Sequence, residues 1–360
     1  MKEIVKPLVE WYQKDQRCLP WREAKNPYYI WISEIMLQQT RVEAVKPYFE
    51  RFIQYLPTVE EAAKCPEDEL LKLWEGLGYY NRVRNIQKAA IKIVENYDGK
   101  LPADYDKLKE LPGIGNYTAG AVASIAYNIP VPAVDGNVLR VISRITENYD
   151  DILKQSVKTR VEKELLEIMP ADAPGDFNQA LMELGAMVCV PNGMAKCEVC
   201  PVAHLCKARA NGAVMELPVK KKAKERRLED KTIVILRDGE HVAIRKRPSR
   251  GLLAGLYELP NLQGHVSEKE VLDWLKNYGL YPLHIQKITD SKHIFSHVEW
   301  DMTAYAVRVA ALDETKQKDL LFIETTEIEQ NYPIPAAFHA YTKYMNMQLG
   351  AEVNMKKQEM

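Results

Sequence analysis

No stretch of the 360 residues approaches the roughly 18 consecutive apolar residues that a membrane-spanning helix needs. A transmembrane helix is therefore excluded. The opening residues Met1-Lys2-Glu3-Ile4-Val5-Lys6-Pro7 lack the apolar core of a secretory signal. A cytoplasmic location is expected, where thiols stay reduced. An excess of charge of either sign is also missing. Lys+Arg is 49 against 50 Asp+Glu, a net charge of -1. Global charge thus argues neither for nor against a nucleic-acid partner, and a local basic face stays open. Disorder of the whole chain is excluded too, because 46% hydrophobic against 28% charged residues is ordinary for a folded protein. The length suggests about two domains, at roughly 150 residues each.

Two kinds of pattern divide the chain. Residues 1–215 read as helices, with apolar residues at helical spacing in Val83–Tyr97 and Ser156–Met169. Asp98-Gly99 and the stretch 170–174 punctuate them. Residues 216–231, with Lys220-Lys221-Lys222 and Arg226-Arg227, read as a charged linker. Such a run is ordinarily a solvated surface, with phosphate contact as the sharper alternative. A mixed pattern follows over 232–350. Thr232–Arg237 and His241–Arg247 are strands about an Asp238-Gly239 turn. Ser267–Tyr278 is a helix with Ser267 as N-cap, Glu270 closing a capping box, and Gly279 just past the end. Strands are expected at Ile285–Thr289 and Trp300–Ala310, then a helix near Ala336–Met347. Residues 351–360 read as a flexible tail. The expected architecture is an all-α domain followed by an α+β domain.

Four of the six cysteines crowd into 18 residues: Cys189, Cys197, Cys200 and Cys206. In a reducing compartment that density means a metal site. Four thiolates suit zinc or a [4Fe–4S] cluster. Zinc sites usually pair two short knuckles, and only one short pair is present, which favours the cluster. All four positions are Cys, so no open coordination site is implied. Cys18 and Cys65 stand apart as ordinary thiols.

Leu111-Pro112-Gly113-Ile114-Gly115-Asn116-Tyr117-Thr118-Ala119 opens a helix behind a tight turn. Gly113 and Gly115 expose backbone amides there, and the helix start adds its positive end. The motif is the helix-hairpin-helix signature, and DNA phosphate is its natural anion.

Two carboxylates draw attention. Glu34 lies in the apolar run Tyr29–Leu37, so burial should raise its pKa and hold it protonated near neutrality, fit for a general acid. A structural Glu paired with an Arg is the alternative. Asp135 precedes a helix beginning near Val138 and reads first as an N-cap. The helix N-terminus should keep it ionised. One neutral and one charged carboxyl is the division of labour expected for cleaving a glycosidic bond.

Together the hairpin, the Asp that follows it and the four-Cys loop resemble the endonuclease III superfamily of DNA glycosylases. Within it the chain resembles the MutY family of adenine glycosylases, through Leu19-Pro20-Trp21-Arg22, Ser33–Thr40, Trp74–Tyr80, Ala133–Val138 and Phe295-Ser296-His297. With the second domain, the match runs over nearly the whole chain. The lyase-capable relatives carry Lys where Tyr117 stands, so the resemblance implies a monofunctional enzyme. One departure exists: the first Cys gap is seven residues where the family has six, and Asn192-Gly193 could absorb the extra one.

The resemblance implies a function in some detail. The substrate is double-stranded DNA with adenine opposite 8-oxoguanine or guanine, and the adenine is flipped out to be reached. Glu34 protonates N7. Asp135 stabilises the sugar cation, Tyr117 positions the groups and Asn137 orients Asp135 or the water. Gln39 and Tyr79 wedge into the stack. Thr40, Arg22 and Leu37 join the DNA-binding set with Gly113 and Gly115, and the Cys loop presents Lys196, Lys207 and Arg209 to phosphate. The C-terminal half resembles a MutT-like (Nudix) domain. Tyr278–Leu283 stand where a working Nudix box has its acids, so no pyrophosphohydrolase activity is expected. That domain instead reads 8-oxoguanine through Phe295, Ser296 and His297. A monomer is expected, with no membrane partner. Two rival readings are a bifunctional glycosylase/lyase and a zinc-dependent DNA-binding adaptor without activity.

Overall fold

Helices fill the first part of the chain, as the 3.6-residue periodicity requires. The computed structural model describes residues 1–221, 225–310 and 319–349. The expected tail 351–360 and part of the charged run, 222–224, lie outside the described residues. The helices before the sheet are α1 (Val5–Asp15), α2 (Pro27–Met36), α3 (Val42–Tyr55), α4 (Val59–Lys64), α5 (Glu67–Leu73), α6 (Asn81–Tyr97), α7 (Tyr105–Lys109), α8 (Asn116–Tyr127), α9 (Gly136–Thr146), α10 (Gln155–Ile168), α11 (Pro174–Met187) and α12 (Lys207–Ala210). No described helix is long and apolar enough to cross a membrane.

The chain forms two compact units. One is Met1–Lys64 with Asn85–Ala223, and the other is Cys65–Arg84 with Lys224–Met360. The second unit thus takes in α5 and the Trp74–Tyr80 loop from far upstream.

In the first unit α2 is buried on nearly every side. Asn26 caps it by accepting from the Tyr28 N–H, and Pro27 supplies a fixed φ at the first turn. It packs on α3 and α8. Helix α9 turns Val138, Leu139, Val141, Ile142 and Ile145 into a core shared with Leu8, Phe177 and Leu181. Each such side chain contributes about 1.5–3 kcal/mol on burial.

The second unit is built on one sheet, ordered β3-β2-β1-β6-β5. Its strands are β1 (Arg227–Asp238), β2 (His241–Lys246), β3 (Tyr257–Glu258), β4 (Asn261–Gln263), β5 (Pro282–Ile294), β6 (Val298–Val309) and β7 (Leu321–Glu324). β1 and β6 pair in parallel from Arg227↔Val298 to Arg237↔Arg308. The other pairs are antiparallel, with β4 on β1 and β7 on β2. Both faces of β1 are covered. Ile233 and Ile235 face α14 (Thr325–Asn331) and a 3₁₀ helix over Ala336–Tyr344, whereas Val234 and Leu236 face α13 (Glu268–Asn277). A strand covered twice reads as a continuous apolar run.

Ser267 and Glu270 form the expected capping box, and Gly279 ends the helix at φ +71°. Two expectations need correction. β1 starts at Arg227, inside the expected linker, because its first residues pair with β6. The helix near Ala336–Met347 is 3₁₀ over Ala336–Tyr344, and its buried Phe338 and Tyr341 are three residues apart, the 3₁₀ period.

Candidate active site

In the first unit a cavity of about 310 Å³ gathers side chains from α1, α2, α8 and α11 and from the start of α9. Glu34, from the buried face of α2, is 6% exposed. Burial pushes its carboxyl up to about 7, and the charge of Asp135 adds to the rise. Against this, the Tyr117 hydroxyl donates to Glu34 Oε2 at 2.5 Å and Arg22 lies near. Glu34 makes no salt bridge among the described residues, so the Arg-paired alternative does not apply.

Asp135 is the N-cap of α9. Its Oδ1 accepts from the Val138 N–H and its Oδ2 from Asn137 Nδ2, both at 2.8 Å. The helix start, expected to keep it ionised, is opposed here by burial. Burial in the cavity wall outweighs the capping bonds and lifts its pKa above the ordinary value. The charge of Asp135 is itself one cause of the rise at Glu34, so an ionised Asp135 favours a protonated Glu34. Tyr117 is held well above its ordinary pKa by burial and the neighbouring carboxylates, so it stays a neutral donor.

The other wall was not visible in the sequence. Glu183, from α11, accepts from Arg17 Nε (2.7 Å), Arg17 Nη2 (2.8 Å) and Arg22 Nη2 (3.0 Å). Burial alone would raise it, but the two guanidiniums outweigh burial and bring it down to about 2. Arg22 also lies over the Tyr12 ring. Glu183 sits between Met182 and Leu184, the same signal of a carboxyl in an apolar stretch that marked Glu34.

The hairpin leads into α8, which carries Tyr117. Gly113 has φ +76°, and a Cβ there would meet Asn85 Cβ at 2.6 Å, so two constraints require glycine. Gly115 starts α8 with no side-chain cap, leaving the first amides of the helix open. Leu37 closes α2, and the Thr40 hydroxyl donates to the Gln38 carbonyl. Gln39, between them, holds φ +59°.

Tyr79, Phe295, Ser296 and His297 belong to the second unit. Tyr79 is 48% exposed with φ +51°. Left-handed backbone at a non-glycine costs about 1–3 kcal/mol and collects at functional sites. The Tyr79 hydroxyl is 2.9 Å from Ser296 Oγ. Phe295 stacks edge-on against Trp300 and bonds back to Val298, which leaves Ser296 and His297 exposed at the β5–β6 turn.

All four cysteines line one apolar cavity in the first unit. No carboxylate, imidazole or hydroxyl lines it, so the donor set is sulfur alone and suits a thiolate-held metal group. Within the first gap Gly193 takes φ +76°, beside an 86% exposed Met194. Helix α9 joins this loop to Asp135. Arg140 donates to Asn137 Oδ1 (2.9 Å) and to the Cys189 carbonyl (2.9 Å), and Arg144 donates to Cys189 Sγ (3.2 Å). Elsewhere, Asp230, His265 and Asp301 bring ligand atoms within 4.8 Å of one another. There His265 already bonds the Asp301 carbonyl, and the Asp301 carboxylate pairs with Lys292.

Comparison with known proteins fits this arrangement. Residues 32–170 match the model of the family described as HhH-GPD superfamily base excision DNA repair protein, and residues 232–344 match the NUDIX domain. An adenine DNA glycosylase of Buchnera aphidicola subsp. Baizongia pistaciae is 34% identical, over 81% of this chain and 82% of its own length. This chain belongs to the adenine DNA glycosylase family. The human adenine DNA glycosylase is 33% identical over 83% of this chain, which spans 66% of that relative's length. A structure of a non-covalent endonuclease III–DNA complex superposes with a TM-score of 0.50 and 28% identity, covering 59% of this chain and 98% of its own. The fold is therefore that of an adenine DNA glycosylase, a helical domain of the endonuclease III type followed by a Nudix-like domain.

Proposed function

We propose that the chain removes adenine mispaired with 8-oxoguanine, and with guanine, from double-stranded DNA and leaves an abasic site. Base excision at adenine mispairs, by hydrolysis of the N-glycosyl bond, comes to it with its family. The observation that carries the mechanism is the pair Glu34 and Asp135 in one cavity, with Tyr117 bonded to Glu34 and two donors fixed on Asp135.

Glu34, at about 7, is protonated in a useful fraction of molecules at neutral pH. It donates that proton to adenine N7, which makes the base a good leaving group. The sugar develops oxocarbenium character. Asp135, held by the Val138 N–H and the Asn137 amide, stabilises that cation by charge or by a transient bond to the sugar. Asn137 keeps its carboxylate turned inward, and Arg140 holds Asn137 from behind. Water completes the exchange. Tyr117 occupies the hairpin position where lyase-capable relatives have an amine, so base removal proceeds without strand cleavage.

The open amides after Gly115 fit a backbone phosphate. Gln39 and Tyr79 enter the stack, and Ser296 and His297 meet the 8-oxoguanine. The Nudix-like domain acts as a reader with no pyrophosphohydrolase activity. Cys189, Cys197, Cys200 and Cys206 would hold a [4Fe–4S] cluster, whose bonds to the four thiolates would cross-link the loop that carries Lys196, Lys207 and Arg209.

The test is a single-turnover assay on a duplex with one adenine opposite 8-oxoguanine, read with and without alkali. Breakage only after alkali is the expected result. Breakage without alkali would overturn the monofunctional reading and direct attention to the amine of Lys25, which lines the cavity. No breakage in either lane would overturn the assignment of Glu34 and Asp135.

A further inference from the structure

The Trp74–Tyr80 loop is tied to the rest of its own unit at both ends. At the root, Glu75 is only 2% exposed. Its Oε1 accepts from the Ile334 N–H at 2.7 Å, and its Oε2 accepts from Lys72 Nζ at 2.8 Å. Lys72 also donates to the carbonyls of Tyr332 (3.1 Å) and Ile328 (3.4 Å). At the tip, the Tyr79 hydroxyl meets Ser296. Between root and tip, Arg82 donates to the carbonyls of Leu77 and Gly78, both at 3.1 Å, and lies over the rings of Trp74 and Tyr79. The loop is thus a short stiff arm. Its buried end rests on the segment after α14, and its exposed end lies against the β5–β6 turn.

A buried ion pair is a poor way to gain stability, since desolvation offsets most of the attraction. Its attested use is to select one geometry. An apolar contact would let the arm slide, whereas two directional bonds on one carboxylate do not.

We infer that Glu75 is a positioning residue for opposite-base selection. It fixes the arm so that Tyr79 and Ser296 present themselves together to the base opposite the adenine. This rests on the reading that those two residues meet 8-oxoguanine. Tyr79 still reaches the stack when the root is loosened, but it no longer arrives in register with Ser296. The loss therefore falls on the substrate that uses both residues.

Glu75→Gln tests this. The glutamine carbonyl can still accept from Ile334, but Lys72 loses its anionic partner. Single-turnover rates are measured on duplexes with adenine opposite 8-oxoguanine and opposite guanine. In a Glu34→Gln background, which leaves the substrate intact, 2-aminopurine stacked beside the 8-oxoguanine reports wedge entry by its fluorescence. Loss of one charge-assisted bond predicts a fall of about tenfold on the 8-oxoguanine duplex. The guanine duplex should change little, and the fluorescence rise should persist but become the same opposite 8-oxoguanine as opposite guanine. The double variant Lys72→Met/Glu75→Gln leaves no unpaired buried charge. It should still unfold in one cooperative transition and show the same narrowed selectivity, which separates loss of position from loss of fold. Equal losses on both duplexes, or selectivity kept by a folded variant, would overturn the inference. A wild-type protein without opposite-base preference would overturn the underlying reading and this inference with it. That outcome is told apart because it appears before any variant is made.

Discussion

Replacing Tyr117 with phenylalanine deletes one hydroxyl from the cavity wall and leaves the ring. That hydroxyl donates to Glu34 Oε2 at 2.5 Å. A donated hydrogen bond favours the ionised carboxylate, so it pulls the Glu34 pKa down while burial pushes it up to about 7. A hydrogen bond to a charged group is worth about 1.5–3 kcal/mol. The protonated carboxyl accepts a weaker bond from the same donor, so only the difference counts. At about 1.4 kcal/mol per pKa unit, removing the hydroxyl should raise Glu34 by about one unit. The assay is the single-turnover excision rate against pH. A general acid works protonated, so the wild-type rate should fall above about pH 7. In Tyr117→Phe the plateau should be lower, because Glu34 is less well oriented, but should extend about one pH unit further into alkali. An alkaline limb that stays in place or moves to lower pH would refute the reasoning.

Glu34→Gln should abolish excision and raise thermal stability at pH 8. The wild-type carboxyl has a raised pKa, so its contribution is full below the ordinary value and is lost as pH rises through about 7. The shift corresponds to about 3 kcal/mol, so melts should differ at pH 8 and converge near pH 4. Glu183→Gln should act oppositely. It leaves Arg17 and Arg22 facing each other without their shared anion and should cost about 3 kcal/mol in a melt at pH 7. Glu183's depressed pKa means that this contribution disappears only as pH falls toward about 2. In Gly185→Ala the new Cβ would meet Asn137 Cβ at 2.7 Å. Asn137 should swing off Asp135, and the excision rate should drop far more than the melting temperature. Cys200→Ser should remove the brown colour and acid-labile sulfide of the purified protein, whereas a zinc site would show neither in the wild type.

Local features were legible in the sequence. The capping box at Ser267 and Glu270 needs only four residues, and the Asp238–His241 hairpin needs only its turn. Glu34 stood out because its apolar neighbours all lie within one helix. Long-range pairings were hidden. Arg17 and Glu183 are far apart in sequence, and neither shows its partner locally. Asp135 announced itself as a helix cap, but the pattern around it does not show how deeply the cavity wall encloses it. The 3₁₀ helix at Ala336–Tyr344 has apolar positions that serve an α-helix almost as well. The early start of β1 came from a partner strand encoded much later.

The membership of Cys65–Arg84 in the second unit bears on how the chain is made. This segment emerges from the ribosome long before β1 or β6 exists. Glu75 there waits for the synthesis of everything up to Ile334 before it can accept that residue's N–H. Until then one of its two directional bonds does not exist, and the arm is set only when the C-terminal part has been made. A premature stop before Ile334 would leave that bond unmade, so truncated chains should lose opposite-base selectivity even when Glu34 and Asp135 are intact.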